Sequence, residues 1–236
     1  MLYPDLLYPD LDTPSVLLDM DAVEANIARM AALGKRAGVK LRPHTKTHKN
    51  PEIAKLQLAA GAAGITVAKL GEAEVMARAG IDDILIAFPL IGRQKLERLA
   101  ALHKQIKVIT STDSFDVAAG LSWVGEMVGK PVPVYIEVDT GLGRCGAAPG
   151  ADTVELARTM ADLKGISIVG VMTHEGHAWL TDSGEGRAEV AKEVAKEAAR
   201  MLADTAESLR AEGFPCMEAS VGATPAACHI EEAKGA

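Results

Sequence analysis

Residues 107–139 read KVITSTDSFDVAAGLSWVGEMVGKPVPVYIEVD, and this stretch decides the class of fold. It begins with a short apolar run at 107–110, continues with a segment of helical periodicity after Thr112 and Asp113, and ends in a second apolar run at 134–139. Both runs are continuously apolar instead of alternating, which is typical of strands that are covered on both faces. The stretch therefore predicts a strand–helix–strand unit of a parallel sheet.

The same alternation of strand and helix extends from residue 15 to the end of the chain, which is the pattern of an α/β protein. Strands are predicted at 15–18, 39–42, 64–67, 84–86, 107–110, 134–139, 166–173 and 217–221. Helix starts are predicted at Asp21, Gly71, Thr112 with Asp113, and Ala151 with Asp152, helix ends at Gly38, Gly80 and Gly165, and a long Ala-rich helix at 185–212. No Gly-rich dinucleotide loop follows the first strand, so a parallel (β/α) barrel is favoured over an open doubly wound sheet.

Composition and charge exclude several classes of protein. The 236 residues include 25 Lys and Arg against 32 Asp and Glu, and the basic residues are scattered, which argues against a nucleic-acid partner. The opening MLYPDLLYPDLDTPS has acids and prolines where a signal peptide needs a basic start, and no run approaches the roughly 20 apolar residues of a membrane span. Cys145, Cys216 and Cys228 are odd in number and far apart, as expected of reduced thiols. The sequence therefore predicts one cytoplasmic domain with no membrane partner.

The most unusual segment is LRPHTKTHK at 41–49, at the end of the second predicted strand. Lys46 is expected at the barrel mouth, where active sites form. Four basic or titratable side chains surround it in sequence, namely Arg42, His44, His48 and Lys49. Like charges disfavour protonation of the Lys46 amine and so predict a nucleophilic lysine that can form a Schiff base. The alternatives are a solvated basic loop, and a metal pair of His44 and His48, which Pro43 disfavours because it opposes the helix that such a pair needs.

Three further segments follow predicted strands and hold candidate binding groups. VDTGLGRCG at 138–146 is glycine-rich and presents Arg144 for an anion, although a tight turn with a surface arginine reads the same way. THEGH at 173–177 places Thr173 and His174 near the mouth, where a buried structural histidine is equally consistent. SVGATP at 220–225 opens a predicted helix and offers backbone N–H groups and a hydroxyl to an anion, or is an ordinary N-cap.

Together these segments resemble the D-threonine aldolase and D-serine dehydratase branch of the alanine racemase-like, fold-type III, pyridoxal-phosphate enzymes. The resemblance runs from LDTPSVLLDMDAVEANI through RPHTKTHKNPEIA, AKLGEAEVMARAGIDDILI, EVDTGLGRCG, VMTHEGHA and SVGATP, so it covers nearly the whole chain. PHTKTHK is its most specific motif. The resemblance implies an alanine racemase-like (β/α)8 TIM-type barrel with pyridoxal 5'-phosphate (PLP) as cofactor.

The resemblance also implies a role for each site residue. Lys46 is the catalytic lysine that holds PLP covalently, Arg144 contacts the phenolic oxygen of its ring, and Gly222, Ala223 and Thr224 bind its phosphate. The complete set implied for cofactor binding is His44, Arg144, Thr173, His174, Ser220, Gly222, Ala223 and Thr224. His174 stands where many relatives have a tyrosine, and Ala223 stands where they often have Ser or Thr.

The chain departs from the resembled family at its C-terminus. Relatives continue with a final barrel strand and a β-rich second domain, which carries a His and a Cys or Asp for a divalent metal, Mn or Zn. The expected domains are therefore an N-terminal segment, 1–15, that associates with that second domain, and a PLP-binding barrel, 16–236, that lacks its last strand and the C-terminal β domain. Seven barrel strands are expected, because the strand at 15–18 belongs to the second domain. No metal ligands are identified in this chain.

The function that the resemblance implies is that of a PLP-dependent lyase acting on D-3-hydroxy amino acids. The reaction is either retro-aldol cleavage of D-threonine-like substrates or dehydration of D-serine or 3-hydroxyaspartate. The partners it implies are a small D-amino acid and, for the full-length enzyme, a second copy in a homodimer. A non-catalytic PLP carrier and an amino-acid racemase are the alternatives, although no second acid/base group for a racemase is identified.

Overall fold

The computed structural model describes residues 11–179 and 186–232, and its framework is one sheet of parallel strands. The strands follow one another in chain order across the sheet, and every neighbouring pair is parallel. They are β1 (Ile65–Val67), β2 (Asp83–Ile86), β3 (Lys107–Thr112), β4 (Val132–Glu137), β5 (Ile166–Met172) and β6 (Glu218–Ser220). A strand order without reversal is that of a barrel and not of a doubly wound sheet. The predicted α/β barrel class is confirmed, as a half-barrel of six strands.

Helices cover the outer face of the curled sheet. They are α1 (Met20–Ala37), α2 (Pro51–Ala59), α3 (Leu70–Arg78), α4 (Arg93–His103), α5 (Phe115–Val128), α6 (Ala151–Thr159), α7 (Arg187–Ala211) and α8 (Thr224–Ala227). The larger apolar clusters lie between these helices and the outward side chains of the strands. A separate small cluster made of Leu85, Ile109, Tyr135 and Met172, one residue from each of β2 to β5, fills the inside of the curl. Both faces of the strands are thus buried, as their continuous apolar sequence predicted.

The first edge of the sheet differs from the sequence prediction. Residues 41–45 run beside β1, where the Thr45 N–H donates to the Thr66 carbonyl at 2.8 Å and the Thr66 N–H donates to the Pro43 carbonyl at 2.8 Å. Only His44 forms a regular bridge, to Thr66, so the strand predicted at 39–42 and the total of seven barrel strands are wrong. Pro43 has no N–H to donate, which interrupts a ladder at this point. Residues 15–18 are exposed and have no strand partner in the described part of the chain, and their expected pairing with a second domain stays a prediction.

Most helix boundaries differ from the predictions by one to three residues. α1 is capped by Asp19, whose carboxylate accepts the Ala22 N–H at 3.1 Å, and not by Asp21. The N-caps of α3, α5 and α6 are Lys69, Ser114 and Gly150 instead of the predicted Gly71, Thr112 with Asp113, and Ala151 with Asp152. The left-handed conformation expected at Gly38 and Gly80 is confirmed. Helices α2 and α4 were not predicted. The helix start expected at residue 185 lies outside the described residues, and so do residues 1–10 of the N-terminal segment.

Gly165 does not end a helix as predicted, because α6 ends at Thr159. Instead, it allows α5 to contact the start of β5 through backbone atoms. The Gly165 N–H donates to the Ser122 hydroxyl at 3.0 Å, and a Cβ built on Gly165 would lie 2.6 Å from the Ser122 carbonyl carbon and closer still to its oxygen. A Cβ on Gly125 would meet the Gly165 carbonyl group in the same way. These two glycines are therefore required by a close approach of two backbones.

The first helix and the last described segment lie together. Arg36 of α1 pairs with Glu231 at 2.9 Å. Glu231 lies in a short 3-10 turn at Ile230–Glu232, which contacts both α1 and α7. The two ends of the half-barrel are thus connected on the helical side. None of the helices in the described residues combines the length and the apolar character that crossing a bilayer requires.

Candidate functional site

The carboxyl ends of the strands form one rim, and the four segments singled out from the sequence lie along it. The segment 41–49 lies beside β1, 138–147 follows β4, 173–177 follows β5, and 221–224 follows β6. A shallow concavity on this rim is lined by Glu137, Val138, Asp139, Leu142, Arg144, Cys145, Thr173 and His174. Because parallel strands all end at the same edge, residues far apart in sequence meet here.

Lys46 lies in a tight turn that is fixed to the end of β1. The Thr45 hydroxyl donates to the Thr66 carbonyl at 3.2 Å, and the Lys49 N–H donates to the Thr45 carbonyl at 2.7 Å. The Lys46 N–H donates to the His44 Nδ1 atom at 3.3 Å. Lys46 itself is exposed, and no ion pair or hydrogen bond engages its amine within residues 11–179 and 186–232. The turn therefore presents an unpartnered amine on the rim.

The crowding of like charges around Lys46 that the sequence predicted is largely absent. Arg42 pairs with Asp83 at 2.6 Å, and Lys49 pairs with Glu72. Burial, and then the Lys46 ammonium, lower the pKa of His44 to about 4, so its imidazole is neutral at pH 7. Burial also lowers the pKa of His48. The predicted crowding was wrong because two carboxylates from other elements, Asp83 and Glu72, pair with Arg42 and Lys49. In addition, both imidazoles are partly buried.

Glu72 connects the Lys46 turn to the loop after β1. It is a buried carboxylate that accepts the Ala68 N–H at 2.8 Å and a hydrogen bond from the Lys49 ammonium. Burial alone would raise the pKa of Glu72, but these hydrogen bonds outweigh burial and the pKa is lowered. Glu72 therefore stays ionised and pairs with the Lys49 ammonium.

The partly buried His44 predicts a pH dependence of stability. The pKa of His44 is about 4 in the folded chain and ordinarily 6.5, so the unfolded chain takes up the proton first as the pH falls. The contribution of neutral His44 is therefore complete above pH 6.5 and is lost progressively down to about pH 4. We expect His44→Asn to flatten the decline of the free energy of unfolding over this range, measured by urea titration at several pH values. An NMR titration of the His44 ring near 6.5 would contradict the burial.

The glycine-rich segment forms a closed loop that carries Arg144. The Asp139 carboxylate accepts the N–H groups of Gly141 at 2.9 Å and Gly143 at 3.0 Å, and a bridge between Val138 and Ala147 closes the loop. Burial alone would raise the pKa of Asp139, but the N–H groups that it accepts lower the pKa. The loop is therefore held by its own carboxylate.

Arg144 is about half exposed beside a buried carboxylate. Its guanidinium lies 3.7 Å from the Glu137 carboxylate at the end of β4. The Cys145 thiol donates to the same carboxylate at 3.0 Å, and burial together with Glu137 raises the pKa of Cys145. The thiol therefore stays protonated at neutral pH, and the loop presents one cation to the concavity.

The segment after β5 connects the Arg144 loop to the segment after β6. The Thr173 hydroxyl is hydrogen-bonded to the Thr140 hydroxyl at 3.0 Å, so this buried side chain joins two loops instead of pointing freely into the mouth. The His174 Nδ1 atom lies 3.0 Å from the Gly222 carbonyl oxygen. After burial and Lys46, His174 also lowers the pKa of His44. Thr173 thus connects this segment to the Arg144 loop, and His174 connects it to Gly222.

The segment predicted to bind a phosphate differs in part from expectation. The Gly222 N–H is already bound, at 2.9 Å, by the carboxylate of Glu175. Ala223 packs with Ala195 and Ala226 against α7 and so turns its side chain away from the mouth, while Thr224 is exposed. The Ser220 carbonyl accepts the Thr173 N–H at 2.9 Å. The helix that follows, α8, has only four residues, so the helix dipole expected at this point is small.

Residues 18–234 match the family described as alanine racemase, N-terminal domain. The chain belongs to this family. Within the alanine racemase N-terminal domain family, it is 38% identical over 217 residues to a D-threonine aldolase of Arthrobacter sp., and the alignment covers 92% of this chain and 56% of the relative. It is also 38% identical over 221 residues to the D-threo-3-hydroxyaspartate dehydratase of Delftia sp. strain HT23, again covering 92% and 56%.

Solved structures of the family agree with this membership. The structure of the Delftia dehydratase superposes with a TM-score of 0.86 at 37% identity, over 96% of this chain and 59% of that chain. The D-threonine aldolase of Filomicrobium marinum superposes with a TM-score of 0.86 at 33% identity, over 96% and 60%. The chain thus spans a little more than half the length of the relatives that it matches.

Two rim carboxylates were not singled out from the sequence. Glu175 lies inside the THEGH segment but binds Gly222, which is 47 residues away. Glu137 ends β4 and binds the Arg144 loop. An acid at the end of an apolar run, or within three residues after it, is the signal that could have indicated both. Among the residues described, no group of three or more His, Cys, Asp or Glu side chains is arranged to hold a metal ion.

Proposed function

We propose that this chain is the cofactor-binding half-barrel of a PLP-dependent lyase that acts on D-3-hydroxy amino acids, with Lys46 as the residue that binds PLP covalently. The observation that carries the proposal is the unpartnered Lys46 amine on the rim, in a fold that superposes on a D-threonine aldolase and a D-hydroxyaspartate dehydratase. Membership of the family and the names of the relatives support the substrate class.

The chemistry of the rim fits PLP. An amine suits its aldehyde, the Arg144 guanidinium suits its anionic ring oxygen, and the 222–224 segment offers backbone and a hydroxyl for its phosphate. A Cβ built on Gly222 meets no atom within 4 Å, so there is open space in front of this segment for a ligand. His177 also has a buried Nδ1 atom that has no partner in the described residues, and the Nε2 edge of its ring would lie 3.4 Å from a Cβ built on Gly141. When bound, PLP would supply an electron sink for the bond that breaks in the substrate.

The side chains of this chain have distinct tasks in the proposed reaction. Lys46 would hold the aldehyde group of PLP covalently, and its amine, when free, would hold or move a proton. His174 donates from Nδ1 to the Gly222 carbonyl, because a carbonyl oxygen can only accept. His44 is neutral and adds no positive charge beside the Lys46 amine. Glu137 holds the Arg144 guanidinium in place.

Sequence identity favours neither retro-aldol cleavage nor dehydration, since it is 38% to both kinds of relative. We therefore propose the class of substrate, D-threonine-like or D-3-hydroxyaspartate-like, for both reactions. Metal chemistry enters the proposal only through the relatives, because one solved structure of a D-threo-3-hydroxyaspartate dehydratase variant is described as a metal-free form. A divalent metal would activate the hydroxyl group of the substrate.

The test is PLP binding together with turnover by the 236-residue chain. We expect PLP to bind and to develop a visible absorbance band, and we expect little turnover of D-threonine, D-serine or D-3-hydroxyaspartate with Mn or Zn added. The reason is that the sheet edge at β6 is open in the described structure, which lets water into the site and weakens preorganised electrostatics. The assay couples product formation to a dehydrogenase. Robust metal-dependent turnover would contradict the expectation, and absence of PLP binding would contradict the proposed function.

A further inference from the structure

Three consecutive residues after β5 bind the segment after β6. The Thr173 N–H donates to the Ser220 carbonyl at 2.9 Å, the His174 Nδ1–H donates to the Gly222 carbonyl at 3.0 Å, and the Glu175 carboxylate accepts the Gly222 N–H at 2.9 Å. Both polar backbone atoms of Gly222 are therefore held by two adjacent side chains. Glycine has the most backbone freedom of any residue, so a segment centred on Gly222 needs such contacts to keep one conformation.

Glu175 is an unusual choice for this contact. Its side chain is 1% exposed, so the carboxylate loses its hydration and depends on hydrogen bonds from the protein. It also places a negative charge next to the segment where the proposed phosphate, itself anionic, binds. An amide oxygen could accept the same N–H without the charge, so the carboxylate opposes the phosphate electrostatically while it orders the segment.

We infer that Glu175 is a positioning residue that fixes Gly222 and thereby orients the peptide groups of 222–224 toward the phosphate, at the expense of a repulsion that lowers phosphate affinity. The inference rests on the proposed function. Fixing Gly222 strengthens phosphate binding, whereas the negative charge weakens it. Removing the acceptor and removing only the charge therefore change PLP affinity in opposite directions. This opposition separates a positioning role from simple electrostatic competition for the Gly222 N–H.

Glu175→Gln keeps an acceptor of the same shape and removes the charge, so we expect it to bind PLP about 3-fold to 10-fold more tightly than the wild-type chain. Glu175→Ala leaves the Gly222 N–H without its acceptor and frees the segment, so we expect PLP binding to weaken about 10-fold or more. If Glu175 only competed for the N–H, both variants would bind PLP more tightly.

Pyridoxal has the aldehyde but no phosphate, so it is the probe that separates an effect on phosphate binding from an effect on aldehyde binding. We expect the affinity for pyridoxal to stay within about 2-fold in both variants, so that the PLP-to-pyridoxal preference alone changes. Glu126→Gln on α5 is the matched control, because Glu126 is bound to Ser122 at 3.1 Å outside the rim, and it should leave both affinities unchanged. Binding is measured by fluorescence titration and by borohydride trapping.

The outcomes distinguish the inference from the proposed function. If either aldehyde is trapped on Lys46 and the PLP-to-pyridoxal preference is unchanged in both Glu175 variants, the inference is overturned and the proposed function stands. Tighter PLP binding by both variants would also overturn it, in favour of competition. Failure of the wild-type chain to trap either aldehyde would overturn the proposed function, and the inference with it.

Discussion

Gly165→Ala is expected to destabilise the chain by about 3 kcal/mol, a large fraction of the roughly 5–15 kcal/mol by which ordinary domains are stable. The added methyl group would lie 2.6 Å from the Ser122 carbonyl carbon, and no side-chain movement can relieve an overlap with backbone. Either α5 moves away from the start of β5, which opens the outer core, or the 163–166 turn shifts and the Ser122–Gly165 hydrogen bond is lost. The free energy of unfolding from urea titration, followed by circular dichroism, measures the effect.

Gly71→Ala is the matched control for this substitution. Gly71 lies in α3, and a Cβ there would meet only the Arg98 side chain at 3.8 Å, so alanine should be neutral or stabilise the helix by up to about 1 kcal/mol. Gly125→Ala should destabilise as Gly165→Ala does, because it enters the same contact from the α5 side. Equal stability of the Gly165 and Gly71 variants would show that α5 and β5 are not in backbone contact.

Lys46→Ala is expected to abolish covalent attachment of PLP while leaving the fold intact. The side chain is exposed and has no bond to the described residues, so its removal costs little packing energy. PLP is then held only by non-covalent contacts and should wash out on dialysis. The measurement is the mass added to the intact protein after borohydride reduction, with circular dichroism as the test of folding.

Lys49→Ala is the control for Lys46→Ala. Lys49 lies three residues away, but its ammonium is paired with the buried Glu72. Its removal leaves a buried carboxylate without its partner and should lower stability, yet attachment of PLP should persist. Loss of the label in the Lys49 variant and retention in the Lys46 variant would reverse the assignment of the two lysines.

The sheet was predictable from sequence because its strands carry local information. Continuous apolar runs such as 107–110 and 166–173 lie within one residue or two of β3 and β5, and the absence of a dinucleotide loop favoured the barrel order that is observed. The strand predicted at 39–42 was wrong because pairing needs N–H donors on both strands, and Pro43 at its end has no N–H. The missed helix α4 begins after Gly92, without a side chain that caps it, so no start signal marks it.

The site was predictable as four segments but not as a set of contacts. Strand ends in a parallel barrel converge, so 138–146, 173–177 and 220–225 could be placed on one rim with the Lys46 turn. Their charge states could not be predicted, because Asp83 and Glu72, which neutralise Arg42 and Lys49, lie 41 and 23 residues away. The Glu175 contact to Gly222 was beyond sequence reasoning for the same reason, since it depends on how two loops meet.

Peptide mapping of the PLP-treated wild-type chain after borohydride reduction tests the assignment of Lys46. We expect one major modified peptide, with the pyridoxyl group on Lys46. The competing amines on the same rim are those of Lys49, which is paired with Glu72, and Lys69, which precedes α3. A label that lies mainly on Lys49 or Lys69, or that spreads over many surface lysines, would contradict the assignment of Lys46 and the PLP site built around it.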